Sequence, residues 1–379
     1  MADDGAGRLM RIVHVSPYPM ARPGGVQSNI RDLCAWLERQ GHEVRILAPD
    51  AQDDAATRRI ALGHAREVTL HGTEFEFSYA GPLALSRAAR GLRDWGAELV
   101  HLHTPWTPMM PWQLWRKLRL PSVATFHATL PDIDPATAKP GLEDRFIARA
   151  ARYYHRRLAA LIVPSSAPQA QWARLGVTPL PQILPPTINL ADWRAADPGT
   201  ARRAGPFRVI YLGRFEARKG VDVLLSAWAQ RPAALRDAEL VLAGRGALPG
   251  PLPEGARLVS DPDRAAAIRL VAEADVSVAP AGWGESFGLV LIEAMAAGTV
   301  PVAAANAGYA TVMTGAGRDL LFEPGDAAGL AARLAELATG PARLARLADW
   351  GRAHALDYDV SRVGPAYLRV YEAALETRS

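Results

Sequence analysis

Residues 9–48 read LMRIVHVSPYPMARPGGVQSNIRDLCAWLERQGHEVRILA, and they hold one complete structural unit. Leu9–Val15 is an apolar run interrupted only by Arg11 and His14, the composition of a strand covered on both faces. Pro17, Pro19, Pro23, Gly24 and Gly25 make the next stretch a loop. From about Val26 to Gln40 the apolar residues return at helical spacing, and Gly41 stands where a left-handed C-cap is needed. Glu43–Ala48 is the second strand. Strand, glycine turn, helix and strand make a βαβ unit with parallel strands.

The same alternation continues through Glu98–His103, Ser122–His127 and Ala160–Pro164, further strands of that sheet. It restarts near residue 207 with the strand Arg208–Leu212, the loop Gly213–Gly220 and a helix over Val221–Gln230. Glu239–Ala243, Arg257–Val259, Ala274–Ala279 and Val300–Ala304 are strands of a second sheet, with a helix predicted from about Phe287 to Ala297. Pro179–Asp197, rich in proline, is the predicted linker. The expectation is an α/β chain of two doubly wound parallel sheets facing a cleft, with ligands beyond the carboxyl ends of the strands.

Composition narrows the functions. The 379 residues are 49% hydrophobic and 22% charged, which excludes a disordered chain. One cysteine, Cys34, excludes a disulfide framework and suits a reducing cytosol. No run of 18 apolar residues appears, so no membrane span is expected, and the acidic, glycine-rich start is unlike a signal peptide. The net charge is +4, with 22 of the 43 basic and 17 of the 39 acidic residues in positions 1–190. That excess favours an anionic partner on the first half, and no nucleic-acid partner is expected.

Several motifs carry chemistry. Gly282-Trp-Gly-Glu-Ser-Phe-Gly-Leu-Val-Leu-Ile-Glu-Ala-Met295 runs from a strand end into a helix predicted to start near Glu285–Phe287. Glu285 and Glu293, eight residues and about 2.2 turns apart, would share one wall of the cleft; alternatively Glu285 serves the helix dipole and Glu293 is solvated. Gly213-Arg-Phe-Glu-Ala-Arg-Lys-Gly220 offers Arg214 and Lys219 to a diphosphate, or is an ordinary solvated loop. It is not a Walker A sequence. Pro23-Gly24-Gly25-Val26-Gln27 is a phosphate cradle or a plain strand–helix turn, without the glycine pattern of a nicotinamide enzyme. Thr125-Phe126-His127 puts a histidine at a strand's carboxyl end, whereas His14, His101 and His103 read as satisfied core histidines. No metal-ligand set stands out. Ser260-Asp-Pro-Asp263 precedes an alanine-rich helix; Asp263, with Asp261 in reserve, would read a guanine edge or cap that helix. Trp106–Leu120 and Lys139–Arg157 mix aromatic and basic residues, as interfacial helices do and as sheet-covering helices do.

Taken in order, these motifs resemble the retaining glycosyltransferases of family 4, and the resemblance covers nearly the whole chain. It implies a GT-B fold of two Rossmann-like domains. Residues 1–189 would form the acceptor side, with helix 362–379 packing back on it, and 190–361 the nucleotide-sugar side. Arg214 and Lys219 would bind the donor diphosphate, Glu285 the transferred sugar with the backbone at Phe287, Gly288 and Leu289, and Glu293 the ribose. His127 and the Gly24–Gly25 loop would line the reaction centre, with Tyr18 and Gln27 on the acceptor side. No metal and no cofactor beyond the nucleotide-sugar co-substrate is implied. Among subgroups, Pro17-Tyr18, Pro23-Gly-Gly-Val-Gln-Ser28, Ala124-Thr-Phe-His127, Tyr154-His155 and Glu285–Met295 are similar to the phosphatidylinositol mannosyltransferases. That implies GDP-mannose, a lipid-linked or glycan acceptor, and a cytoplasmic enzyme peripheral on an anionic membrane. Two stretches depart from that subgroup: Ala128-Thr-Leu-Pro-Asp132, where it carries polar residues and a lysine, and Pro185-Pro-Thr-Ile-Asn189 at the hinge. The rival readings are a UDP-hexose enzyme with a soluble acceptor, a GT-B isomerase or phosphorylase, and a non-catalytic nucleotide-sugar binder.

Overall fold

The computed structural model describes residues 8–22, 24–50, 52–56, 58–70, 73–106, 109–128, 142–199 and 205–376. Pro23, Lys139 and the 129–132 stretch of the sequence reading lie outside them. In chain order the first half holds β1 (Arg11–Val15), α1 (Gly25–Arg39), β2 (Glu43–Ala48), β3 (Arg59–Ala61), β4 (His64–Leu70), β5 (Thr73–Tyr79) and α2 (Pro82–Asp94). β6 (Leu99–His103), α3 (Met110–Leu118), β7 (Ser122–Thr125), α4 (Leu142–His155), β8 (Ala160–Val163), α5 (Ser166–Arg174) and β9 (Gln182–Ile183) complete it. Its parallel sheet has the order β3-β2-β1-β6-β7-β8-β9, with β4 and β5 as a separate antiparallel hairpin.

α6 (Ala191–Ala196) opens the second half. β10 (Arg208–Arg214), α7 (Val221–Ala229), β11 (Glu239–Arg245), β12 (Ala256–Ser260), α8 (Arg264–Ala272), β13 (Val276–Ala279) and α9 (Leu289–Ala296) follow. Then come β14 (Val300–Ala304), α10 (Ala307–Val312), β15 (Leu321–Phe322), α11 (Ala327–Thr339), α12 (Pro341–Ala355) and α13 (Val360–Glu376). The second sheet is also parallel, in the order β12-β11-β10-β13-β14-β15. Each sheet steps outward from its first strand and then jumps back to that strand's other side. The reversals, β1 beside β6 and β10 beside β13, open a crevice at the carboxyl ends of those strands.

Burial explains the strands. β6, β13 and β14 are buried at every position, as expected of parallel strands covered by helices on both faces. α13 leaves the second half and packs on the first sheet, where Tyr367 and Tyr371 join Ile12, Leu33 and Leu37 in one core. Gly364 permits this approach, since a Cβ there would come within 2.7 Å of the Trp36 ring. The chain therefore crosses twice between the halves, and the crossings touch: Val360 N–H donates to the Ile188 carbonyl at 2.8 Å. Thr187 N–H donates to Asn29 Oδ1 at 2.6 Å and Asn189 N–H to Asp32 Oδ2 at 2.8 Å, which ties the linker to α1.

The two aromatic-basic stretches part company. α3 buries Met110, Leu114, Trp115 and Leu118, so its apolar stripe covers the sheet. α4 buries Ala150, Ala151 and Tyr154 but leaves Phe146 62% exposed beside exposed Arg145 and Arg149. Among the described residues no helix is long and apolar enough to cross a membrane.

Candidate active site

β10 ends in Gly213-Arg214, and the chain turns through Phe215, Glu216 and the short 3-10 turn Ala217–Lys219 into Gly220. Gly220 has φ 67°, and a Cβ there would lie 2.2 Å from the Pro280 carbonyl oxygen just after β13. Only glycine satisfies both demands. The contact presses the loop after β10 against the loop after β13. Lys219 Nζ reaches Glu285 Oε1 at 2.6 Å, and Arg218 Nη1 reaches the same oxygen at 3.1 Å. Arg218 Nε also donates to Glu216 Oε2 at 3.0 Å, and Arg214 pairs with Glu216. Three cations face two carboxylates, so one positive charge is in excess. Burial pulls the Lys219 pKa below its usual value, with Glu285 opposing. Arg214 is the most exposed member, at 39% against 8% for Glu216. It is the cation an arriving anion would meet first.

The loop after β13 reaches α9 later than the sequence suggested. Gly288, at φ 121°, stands before the helix, which begins at Leu289 and not near Glu285–Phe287. Glu285 is thus on a loop, and the helical-turn arithmetic linking it to Glu293 does not apply; Gly220 and Pro280 position it instead. Glu293 is not a solvated helix residue either. It is partly buried, and burial raises its pKa to about 7, with Arg264 opposing and Asp32 reinforcing. Phe287 is buried against Tyr358, with ring centroids 5.5 Å apart.

The two halves meet at these loops. A Cβ on Gly25 would lie 3.3 Å from Leu289 Cδ1, so the starts of α1 and α9 adjoin. Both helices begin at a glycine, Gly24 and Gly288, with no side-chain cap and no acidic residue in the first turn. Their free N–H groups suit phosphate or hydroxyl oxygens. By contrast Asp263 caps α8, accepting from Ala266 N–H at 2.7 Å, so one of its oxygens is already engaged. Ser286 Oγ donates to the His127 carbonyl, and Ser165 Oγ donates to the Ser286 carbonyl at 2.6 Å. His127 follows β7 and is held neutral by burial, with a pKa lowered to about 3. Tyr18 lies partly buried in the loop after β1, its N–H on Ser16 Oγ at 3.1 Å. Gln27 is buried and braces that loop by donating to the Pro19 carbonyl at 3.3 Å.

The structure therefore brings Gly24, Gly25, His127, Arg214, Lys219, Glu285, Phe287, Gly288 and Leu289 to one junction. The sequence reading passed over Arg218 and Glu216, although both stand in the loop it singled out. It also passed over Arg264 and Asp32 as neighbours of Glu293; no spacing rule connects residues on α8, α1 and α9.

Comparison with known proteins bears on the family and the fold. The family model described as Glycosyltransferase Family 4 matches residues 23–192, and that described as Glycosyl transferases group 1 matches residues 195–354. The chain is 31% identical to a phosphatidyl-myo-inositol mannosyltransferase of Propionibacterium freudenreichii subsp. shermanii, covering 96% of this chain and 95% of that one. It is 28% identical to a glycogen synthase of Mycobacterium tuberculosis, again over 96% and 95%. A solved sucrose-phosphate synthase from Thermosynechococcus elongatus superposes with a TM-score of 0.72 at 23% identity, covering 98% and 100%. That last likeness speaks for the fold.

Proposed function

The chain belongs to glycosyltransferase family 4 and has the GT-B fold, and from that premise we propose that it transfers mannose from GDP-mannose to a hydroxyl of a lipid-linked or glycan acceptor, with retention and without a metal. Residues 1–189 form the acceptor side and 190–361 the donor side. Arg214 and Lys219 hold the diphosphate, Glu285 the hexose, and Glu293 the ribose. His127 and the Gly24–Gly25 turn line the reaction centre. The bond from the sugar's anomeric carbon to the diphosphate breaks with its electron pair on the diphosphate oxygen, where the cations stabilise the growing charge. The acceptor oxygen bonds to the same face of that carbon, and its proton passes to the departing diphosphate.

One observation carries this reading: the cations Arg214, Arg218 and Lys219, in surplus over Glu216 and Glu285, are paired through Glu285 to the loop whose Ser286 bonds the His127 carbonyl. Mannose, and an acceptor of the phosphatidylinositol type, are supported by the names of the mannosyltransferase relatives. The exposed Phe146 with Arg145 and Arg149 on α4 supports peripheral contact with an anionic membrane. A UDP-hexose donor with a soluble acceptor is the second reading, favoured by the cap that Asp263 already makes. Thermal stabilisation by GDP and by UDP, followed by transfer assays with GDP-mannose and UDP-hexoses, separates the two. GDP-mannose turnover with GDP binding at least about tenfold tighter supports the first reading, since one charge-assisted pair is worth about that much. Equal binding of UDP, with turnover of its hexose, replaces it with the second.

A further inference from the structure

His14, His101 and His103 are all fully buried in the core of the first sheet, on the adjacent strands β1 and β6. His14 Nδ1 lies 3.1 Å from His103 Nε2, and His103 Nδ1 lies 2.8 Å from His127 Nε2. The rings of His14 and His103 are 22° from parallel and those of His103 and His127 14°, so the nitrogens meet nearly edge to edge. The column ends inside the protein: His14 Nε2 is buried and has no hydrogen-bond partner. His14, His101 and His103 also present ring nitrogens within 4.8 Å of one another, a spacing that a metal ion could use. On His101 and His103 both nitrogens are already spent. His101 bonds the Tyr371 and Thr125 hydroxyls at 2.7 and 2.8 Å, and His103 bonds its two neighbours.

We propose that His103 is a positioning residue for the transfer reaction, the middle of a three-imidazole column that keeps the His127 proton on Nδ1. The proposal rests on the reading that His127 lines the reaction centre. Each nitrogen contact needs one proton between two rings, and neutral imidazoles carry one proton each. The protons can therefore run only two ways. Running inward, the column ends in an N–H on His14 Nε2 with no acceptor, a buried orphan donor of the kind folded proteins almost never keep. Running outward, it ends there in a bare lone pair, the milder loss. The outward order makes His14 Nδ1–H donate to His103 Nε2 and His103 Nδ1–H donate to His127 Nε2. The lone pair of His127 is then occupied, and its remaining N–H is on the ring edge away from His103. His127 can give a hydrogen bond to a sugar hydroxyl or phosphate oxygen. It cannot be the base that takes the acceptor's proton. Burial keeps the whole column neutral, lowering the pKa of His14 and His127 to about 3 and that of His103 well below its usual value.

Long-range proton–nitrogen NMR on protein labelled with 15N-histidine reports which nitrogen of each ring carries the proton, and His127→Phe assigns the His127 signals by their loss. In the unaltered protein His127 is expected to be protonated at Nδ1 and bare at Nε2 throughout the neutral range. His103→Leu should let the proton move to Nε2 and slow transfer by about tenfold or more, as misplaced catalytic groups do, with nucleoside-diphosphate affinity unchanged. His103→Asn sets an amide nitrogen near the place of Nδ1, and should restore both the tautomer and the rate. A His127 protonated at Nε2 in the unaltered protein overturns the proposal, and so does an unchanged tautomer in His103→Leu. If His127→Phe transfers sugar at the full rate, the fault lies with the placing of His127 at the reaction centre, whatever its tautomer.

Discussion

At the residue scale, Glu293 makes its own chemistry measurable. Burial pushes its carboxyl from the ordinary 4.5 up to about 7 in the folded chain. Between those values the folded state holds a proton that the unfolded state has shed. Stability contributed by this group is therefore greatest at low pH, falls as pH rises from 4.5 towards about 7, and is flat above. The loss is roughly 1–3 kcal/mol for a shift of this kind in a partly buried group. Denaturant midpoints at acid and mildly alkaline pH should diverge in the native protein and converge in Glu293→Gln. Parallel pH profiles would remove Glu293 as the source. Asp263 allows a second test, because capping and base reading can be separated there. Asp263→Ala should lose about 1 kcal/mol of stability with the cap, whereas Asp263→Ser keeps it. If the carboxylate reads guanine, both variants lose the preference for GDP over UDP; retention of that preference in Asp263→Ser leaves the residue a cap alone.

At the element scale, the linker is stitched to α1 by Asn29, whose Oδ1 accepts both the N–H and the hydroxyl of Thr187, at 2.6 and 2.9 Å. Asn29→Ala leaves that buried N–H without an acceptor and should cost about 1–3 kcal/mol. The sign of it is a lower denaturant midpoint with an unchanged slope. An unshifted midpoint would show that water replaces the bond. Elements were legible in the sequence wherever one periodicity ran unbroken. The βαβ unit of residues 9–48 and the restart near residue 207 both emerge within a few residues of their observed bounds. The hairpin β4–β5 has no place in the sequence reading, although Glu74–Phe77 alternates acidic and aromatic residues as a strand does. The α9 start was misjudged because Ser286 and Phe287 are as acceptable in a first turn as in a loop. The Tyr309 ring, packed where a Gly288 side chain would stand, and Gly308, pressed against the Glu285 carbonyl, hold the loop there. The His14–His103–His127 column was illegible because its members are adjacent across strands and not along the chain.

At the scale of the whole molecule, the candidate site depends on two sheets that each reverse their strand order beside the first strand. Loops holding Lys219 and Glu285, 66 residues apart in sequence, become hydrogen-bonded partners through the β10–β13 reversal. Ser286 then carries that cluster to His127 of the other half. On the proposed function this cluster grips the donor diphosphate. Replacing Arg214 and Lys219 together by alanine tests it without stripping the carboxylates bare, since Arg218 still bonds both Glu216 and Glu285, at 3.0 and 3.1 Å. Each lost charge-assisted bond to a phosphate should cost roughly 1.5–3 kcal/mol. The decisive measurement is the initial rate of hexose transfer by this double variant, made beside a circular dichroism melt that shows it folded. A folded variant whose rate falls at least about a hundredfold is the expected result, at about tenfold per 1.4 kcal/mol; a folded variant that keeps more than about a tenth of the native rate contradicts the assignment.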